Sequence, residues 1–207
     1  MEDDEGAVTL LLLRHAQQVR EGDDGPLTPL GHEQAALLRP TVALTDDDLL
    51  VSSATLRARD TAAALGRPPR VVEDLAEFRF GPSWSWDRAA GGEDRSLWRA
   101  EDRLEGGESL GEFHRRVQEA LERLVAEART GGRVVAVAHD GVLAVALRWA
   151  FGLSADQPWL SEMDTGHASI TELRHWPSGR PPGRAPRHTL VARVADVEHL
   201  PVRLRTT

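Results

Sequence analysis

Two histidines and two arginines stand where hydrophobic runs end. Arg14 and His15 close the run VTLLLL (8–13), and His139 and Asp140 follow RVVAVA (133–138). Ser52 and Ser53 end DDLLVSS (47–53), with Arg57 one helical turn further on, and RVVED (70–74) leads to Glu77 in EDLAEFRFG. An imidazole can act as a nucleophile, a guanidinium fork can hold paired oxygens, and a carboxyl group can move a proton. Together these types suit the transfer of an anionic phosphoryl group. Singly, each has a plainer use. A strand-end histidine is commonly structural, Ser52 and Ser53 can cap the next helix, and Arg57 and Glu77 can be solvated surface charges. Convergence on one rim separates the two readings, because the plain uses would all have to coincide there.

That rim depends on the elements behind it. Residues 8–13 and 133–139 read as buried strands, with shorter strands at 47–53 and 70–74. Helical patterns fall within 26–40, where Thr28 caps and Pro29 opens the helix, and over 55–66, 108–130 and 140–151. Strands alternating with helices predict an α/β fold: a three-layer sandwich whose mostly parallel central sheet carries helices on both faces. HTLVARVADV (188–197) reads as an antiparallel edge strand paired with ASITELR (168–174). In such a sheet ligands bind beyond the carboxyl ends of the strands, where Arg14-His15, Ser52-Ser53 and His139-Asp140 lie. One domain over 1–207 is expected, with 78–107, which holds Trp84, Trp86 and Trp98, as a lid or insertion over the site. The proline-rich stretch PSGRPPGRAPR (177–187) reads as an exposed loop.

Composition narrows the chemistry. The chain has 207 residues and a formal net charge of −8, which argues against general nucleic-acid binding. All 25 basic residues are arginine, so Schiff-base lysine chemistry and a phosphate-loop lysine are excluded. With no cysteine, disulfides and thiol chemistry are excluded too. The acidic start MEDDEGAV lacks the basic region of a secretory signal, and no run is long enough to span a bilayer, so a cytoplasmic protein without a membrane partner is expected.

The motifs then resemble a family in order along the chain. LRHAQ resembles the RHG motif of the histidine phosphatase superfamily, in its phosphoglycerate mutase-like branch. PLTPLGHEQA, SSATLRARDTA, LAEFRFG, GGESLGEFHRRV, VVAVAHDGVLAVAL and ARVADVEHL are similar to that family's successive segments, from about residue 8 to 200. The resemblance implies a metal-independent phosphatase that hydrolyses a small organic phosphate monoester and needs no cofactor. It implies His15 as the nucleophile that becomes a phosphohistidine, with Arg14, Arg57 and Gln17 binding phosphate and His139 stabilising its charge. Glu77 would protonate the leaving oxygen and then help water attack.

Several positions depart from the family pattern. Ala16 replaces the motif's glycine, which a negative φ would accommodate. Gln18 and Glu21 stand where Thr or Ser, and Asn, are usual, and a carboxylate at 21 cannot donate to phosphate. Asp140 replaces a glycine and is the alternative proton donor, although the flanks of Glu77 fit the mutase-like branch better. His167 reads as a loop histidine, and Glu108 as a capping-box or early-helix carboxylate. His32, His114, His175, His188 and His199 show no ligand spacing. A phosphoglycerate mutase-type phosphotransferase and a non-catalytic phospho-ligand-binding module are the alternative functions. A metal hydrolase using His15, His139 and Asp140 lacks the usual ligand spacing. The substrate's identity and the oligomeric state are not encoded legibly, and specificity is expected in 78–107 and around Trp159 to His167.

Overall fold

The computed structural model describes residues 6–19, 24–81, 99–103, 106–159, 163–177 and 188–207. Strand β1 (Val8–Arg14) is buried along nearly its whole length, as an uninterrupted apolar run inside a parallel sheet should be. It pairs in parallel with β4 (Arg133–Ala138), Leu12 lying opposite Ala136 and Arg14 opposite Ala138. On its other side β4 pairs in parallel with β2 (Leu49–Ser52), Ser52 opposite Val137. This register makes three strands end flush, so that His15, Ser53 and His139 are each the next residue at one edge.

The full order is β3-β2-β4-β1-β5-β6. Strand β3 (Arg70–Val71) is parallel to β2, β5 (Ile170–His175) runs antiparallel to β1, and β6 (Thr189–Asp196) runs antiparallel to β5. The expected pairing of the two C-terminal strands is therefore present, with a refinement. Strand β6 is the edge, but the strand that runs against the parallel set is β5, one position in. Its direction matters, because an antiparallel neighbour of β1 offers its amino end to the rim where β1 offers its carboxyl end.

Helices cover both faces, and alternation along the strands assigns the sides. Leu10, Leu12, Val134 and Ala136 pack on α3 (Leu110–Glu127) and α4 (Asp140–Ala150). Leu11, Leu13, Val135 and Val137 pack on α1 (Pro29–Val42) and α2 (Leu56–Ala63). Thr28 caps α1, its hydroxyl accepting from Gly31 N at 2.9 Å, with Pro29 in the first turn as expected. Helix α3 begins in a reciprocal capping box between Ser109 and Glu112, so Glu108 is not the capping residue. The predicted strand at 70–74 shortens to two residues and turns into a 3-10 helix at Glu73–Leu75. The expected lid lies largely outside the described residues, as do Trp84, Trp86, Trp98, Glu21 and most of the 177–187 loop. No helix among the described residues is long and apolar enough to cross a membrane.

Candidate active site

His15 leaves β1 with its backbone held on both sides, its N–H donating to Ala138 O at 2.9 Å and its carbonyl accepting from Ala168 N at 3.2 Å. The ring is buried, and its Nδ1 lies 2.9 Å from Ala16 O. A carbonyl can only accept, so Nδ1 carries the proton and Nε2 carries the lone pair. Arg57 Nε donates to that Nε2 at 3.3 Å. Burial is the largest cause that holds the His15 pKa well below the ordinary histidine value, and the positive charge of Arg57 comes next. His15 is thus a neutral imidazole with its lone-pair nitrogen turned toward a guanidinium. Ala16 fits without the motif's glycine: it is not among the positive-φ residues, and its N–H donates to Thr61 Oγ1 at 3.0 Å.

Arg57 joins the two histidines. Its second terminal nitrogen is 3.3 Å from His139 Nδ1, and the other is 3.4 Å from an Asp24 carboxylate oxygen. Because Arg57 can only donate, His139 Nδ1 accepts, and the His139 proton sits on Nε2, 2.8 Å from Ser53 Oγ. The His15 and His139 rings stand edge to face, 5.2 Å apart. Burial first, then the charges of His15 and Arg57, keep His139 well below its ordinary pKa as well. The plain use of the serines as caps for α2 is only marginal, Ser53 Oγ accepting from Thr55 N at 3.4 Å. Ser53 chiefly engages His139, while the Asp24 carboxylate caps α2 by accepting from Leu56 N at 2.7 and 2.9 Å. Sequence spacing gave no sign of Asp24, which reaches α2 from a distant turn.

Arg14 bonds through one terminal nitrogen to Thr165 O and lies 3.9 Å from Asp164. Its Nε is buried and makes no hydrogen bond among the described residues, a donor that an anion's oxygen could satisfy. Gln17 is turned to α1 instead. Its side-chain oxygen accepts from Thr28 Oγ1 at 2.8 Å and its N–H donates to Gln34 Oε1 at 2.8 Å, so its contacts secure the shelf under His15.

Two carboxyl groups, Glu77 and Asp140, differ in what they bind. Glu77 accepts from Phe78 N at 2.8 Å and Gly141 N at 3.3 Å. A side chain at 141 would place its Cβ 2.3 Å from the Glu77 carboxyl, so only glycine allows that approach. Phe78 packs edge-on to Phe113 at 5.5 Å nearby, and burial is the leading cause that raises the Glu77 pKa above the usual carboxylate value. Asp140, by contrast, accepts from Thr165 N at 3.2 Å and from the Thr165 hydroxyl, which binds it to the loop before β5. Glu77 is also held from behind. Arg116 donates to Asp74 O at 2.7 Å, Ala76 O at 3.0 Å and Glu77 O at 3.4 Å, and pairs with Glu108 at 2.6 Å. Glu108 is the inner half of a clamp, a role its position beside a capping box concealed.

His167 is at the site too. It is buried, and its ring centroid lies 5.7 Å from that of His15. No group of three or more His, Asp or Glu placed to hold a metal ion occurs among the described residues. The rim therefore collects neutral imidazoles, two guanidiniums and a carboxyl group inclined to keep its proton, a set able to bind a phosphoryl anion and exchange it with an imidazole nitrogen.

Known proteins resemble the chain in sequence and in fold. The model of the histidine phosphatase superfamily (branch 1) matches residues 10–181. A glucosyl-3-phosphoglycerate phosphatase of Mycolicibacterium vanbaalenii is 34% identical over 190 residues, covering 79% of this chain and 83% of its own. An adenosylcobalamin/alpha-ribazole phosphatase of Escherichia coli is 27% identical over 186 residues, covering 79% and 89%. Among solved structures, a mycobacterial glucosyl-3-phosphoglycerate phosphatase in complex with inorganic phosphate superposes with a TM-score of 0.71 at 27% identity, covering 93% of this chain and 99% of that one. The chain belongs to the histidine phosphatase superfamily, branch 1. Its enzyme class is that of the phosphoric monoester hydrolases, as the sequence motifs implied.

Proposed function

We propose that the chain, read as one domain over 1–207, hydrolyses a small organic phosphate monoester through a phosphohistidine on His15. The observation that carries this reading is the pair of bonds from Arg57 to His15 Nε2 and His139 Nδ1, which hold a lone-pair nitrogen where an arginine-bound phosphoryl group would sit. In the first step His15 Nε2 attacks phosphorus, an N–P bond forms, and the P–O bond to the ester oxygen breaks. Glu77, whose pKa burial raises, gives its proton to that oxygen. Arg14, Arg57 and His139 hold the other phosphoryl oxygens while charge builds on them. In the second step water attacks phosphorus, Glu77 takes the water's proton, and the N–P electron pair returns to His15. The products are the alcohol and inorganic phosphate.

Asp140 is the less suitable acid, since its carboxylate is engaged by both donors of Thr165. Glucosyl-3-phosphoglycerate and phosphorylated alpha-ribazole, after the names of the two relatives, are the first to try. The direct test is release of phosphate from an aryl phosphate with chelator present, wild type beside His15→Ala. Activity that survives chelation and disappears in the variant supports the reading. Equal activity in both proteins would dismiss His15 as the nucleophile.

A further inference from the structure

His167 has no part in the steps above, yet it borders the nucleophile. Its place follows from topology: β5 is antiparallel to β1, so the residues preceding β5 arrive where His15 leaves. The neighbouring backbone is unusual. Ala168 has a φ of +56°, a left-handed conformation that costs a non-glycine residue free energy and persists only where the surroundings impose it. Here Ala168 N donates to His15 O at 3.2 Å and His167 N donates to Thr206 O at 2.8 Å, so the turn is fixed at both ends. One consequence of the turn is a buried imidazole 5.7 Å from the His15 ring, with the two planes inclined at 59°.

One ring nitrogen of His167 is engaged by a polar relay. Its Nδ1 is 3.1 Å from Thr206 Oγ1, and that oxygen accepts from Gln34 Nε2 at 2.9 Å. Gln34 Oε1 in turn accepts from Gln17 N at 2.8 Å, so the relay ends on the backbone just after His15 and Ala16. With Gln34 donating to the Thr206 oxygen, the Thr206 hydroxyl still has its own proton to give to His167 Nδ1, and we take it in that orientation. In that orientation the His167 proton is on Nε2, the nitrogen across the ring. An N–H in that position complements an anion's oxygen.

Resting on the phosphatase reading above, we propose that His167 is a third imidazole of the phosphoryl site, donating through Nε2 to a phosphoryl oxygen, with Thr206 and Gln34 setting its tautomer. A hydrogen bond to a charged group is worth about 1.5–3 kcal/mol, which corresponds to roughly ten- to a hundredfold in affinity. Calorimetric titration with inorganic phosphate and with orthovanadate measures it without turnover, on wild type, His167→Ala, His167→Gln and Thr206→Val. Thermal unfolding of each protein is followed in parallel. His167→Ala should weaken both anions by about tenfold or more, His167→Gln should recover most of that loss by returning an N–H, and Thr206→Val should fall between. Unchanged anion affinity in His167→Ala overturns the proposal, as does a loss that His167→Gln does not recover while its unfolding temperature matches wild type. If His167→Ala does not fold, the Gln and Val variants decide by the same criteria. Failure of wild type itself to bind either anion would overturn the phosphatase reading and this proposal with it, whereas binding that no variant alters would overturn this proposal alone.

Discussion

His15 and Glu77 have their proton affinities pushed in opposite directions, and the direction of each fits its part. Burial and Arg57 hold His15 well below the ordinary histidine pKa of 6.5, so the ring is neutral and nucleophilic in mildly acidic solution. Burial raises Glu77 above the ordinary 4.5, the direction that favours the proton it must give. The kcat/KM profile against pH should therefore lose activity on the alkaline side as Glu77 ionises, and on the acid side only well below 6.5. An acid limb centred near 6.5 would show that His15 is solvated and contradict the assignment. Replacing the acid should cost most where the leaving group is poor. Glu77→Gln is expected to slow an alkyl phosphate by about 10²–10⁴-fold and an aryl phosphate far less. If Asp140→Asn, and not Glu77→Gln, erases the dependence on leaving group, Asp140 is the donor.

At the scale of elements, the site is held by strand ends and by straps that join distant parts of the chain. The strand ends were legible: an apolar run followed at once by polar residues marks a buried strand and its exit, and flush register follows from parallel pairing. The straps were not. Asp24 reaches Leu56, Ser53 reaches His139, and Arg116 reaches the carbonyls of 74, 76 and 77, across separations for which no periodicity exists. His167 could have been found from one further step, since a strand antiparallel to β1 must bring its preceding loop to the His15 rim. The Arg116–Glu108 clamp carries its own prediction. Both side chains are largely buried, and Arg116→Ala would leave Glu108 without its partner, costing about 3–5 kcal/mol of stability. Freed from Arg116, the 74–77 segment should let Glu77 move, so kcat should fall and the alkaline limb should shift toward lower pH as solvent reaches the carboxyl. Denaturant unfolding together with a pH–rate profile checks both effects. Lost stability with an unmoved limb would show that the clamp does not position Glu77.

Over the whole molecule, several histidines are buried in neutral form, and this sets how acid acts on the fold. His15, His139 and His114 all have lowered pKa values, His114 falling to about 4, with burial as the first cause in each. The unfolded chain binds protons at these positions near pH 6.5 while the folded chain refuses them. Stability is therefore fully present above 6.5 and, for His114, is lost progressively as pH falls to about 4. Glu77 acts in the opposite sense: its raised pKa favours the folded state below 4.5, and that contribution is lost as pH rises through its folded value. With more histidines than raised carboxyls, the urea midpoint should decline from pH 7 to pH 5. Both ring nitrogens of His114 lack a hydrogen-bond partner among the described residues. His114→Leu should therefore flatten the decline without lowering the midpoint at pH 7, and a steeper decline would contradict this account. The α/β sandwich itself was readable from alternating strands and helices. The position of the reversed strand was not, because strand order depends on packing that no local pattern records.

The central claim is that phosphorus is transferred to one nitrogen of His15. Rapid mixing with substrate, quenching in alkali and mapping of the phosphorylated peptide test it most directly, with His15→Ala as the control. The account predicts an acid-labile, alkali-stable phosphoryl group on Nε2 of His15, formed and lost at rates compatible with turnover and absent from the variant. Turnover without any phosphoenzyme, or a label carried by His139 or His167, would contradict it.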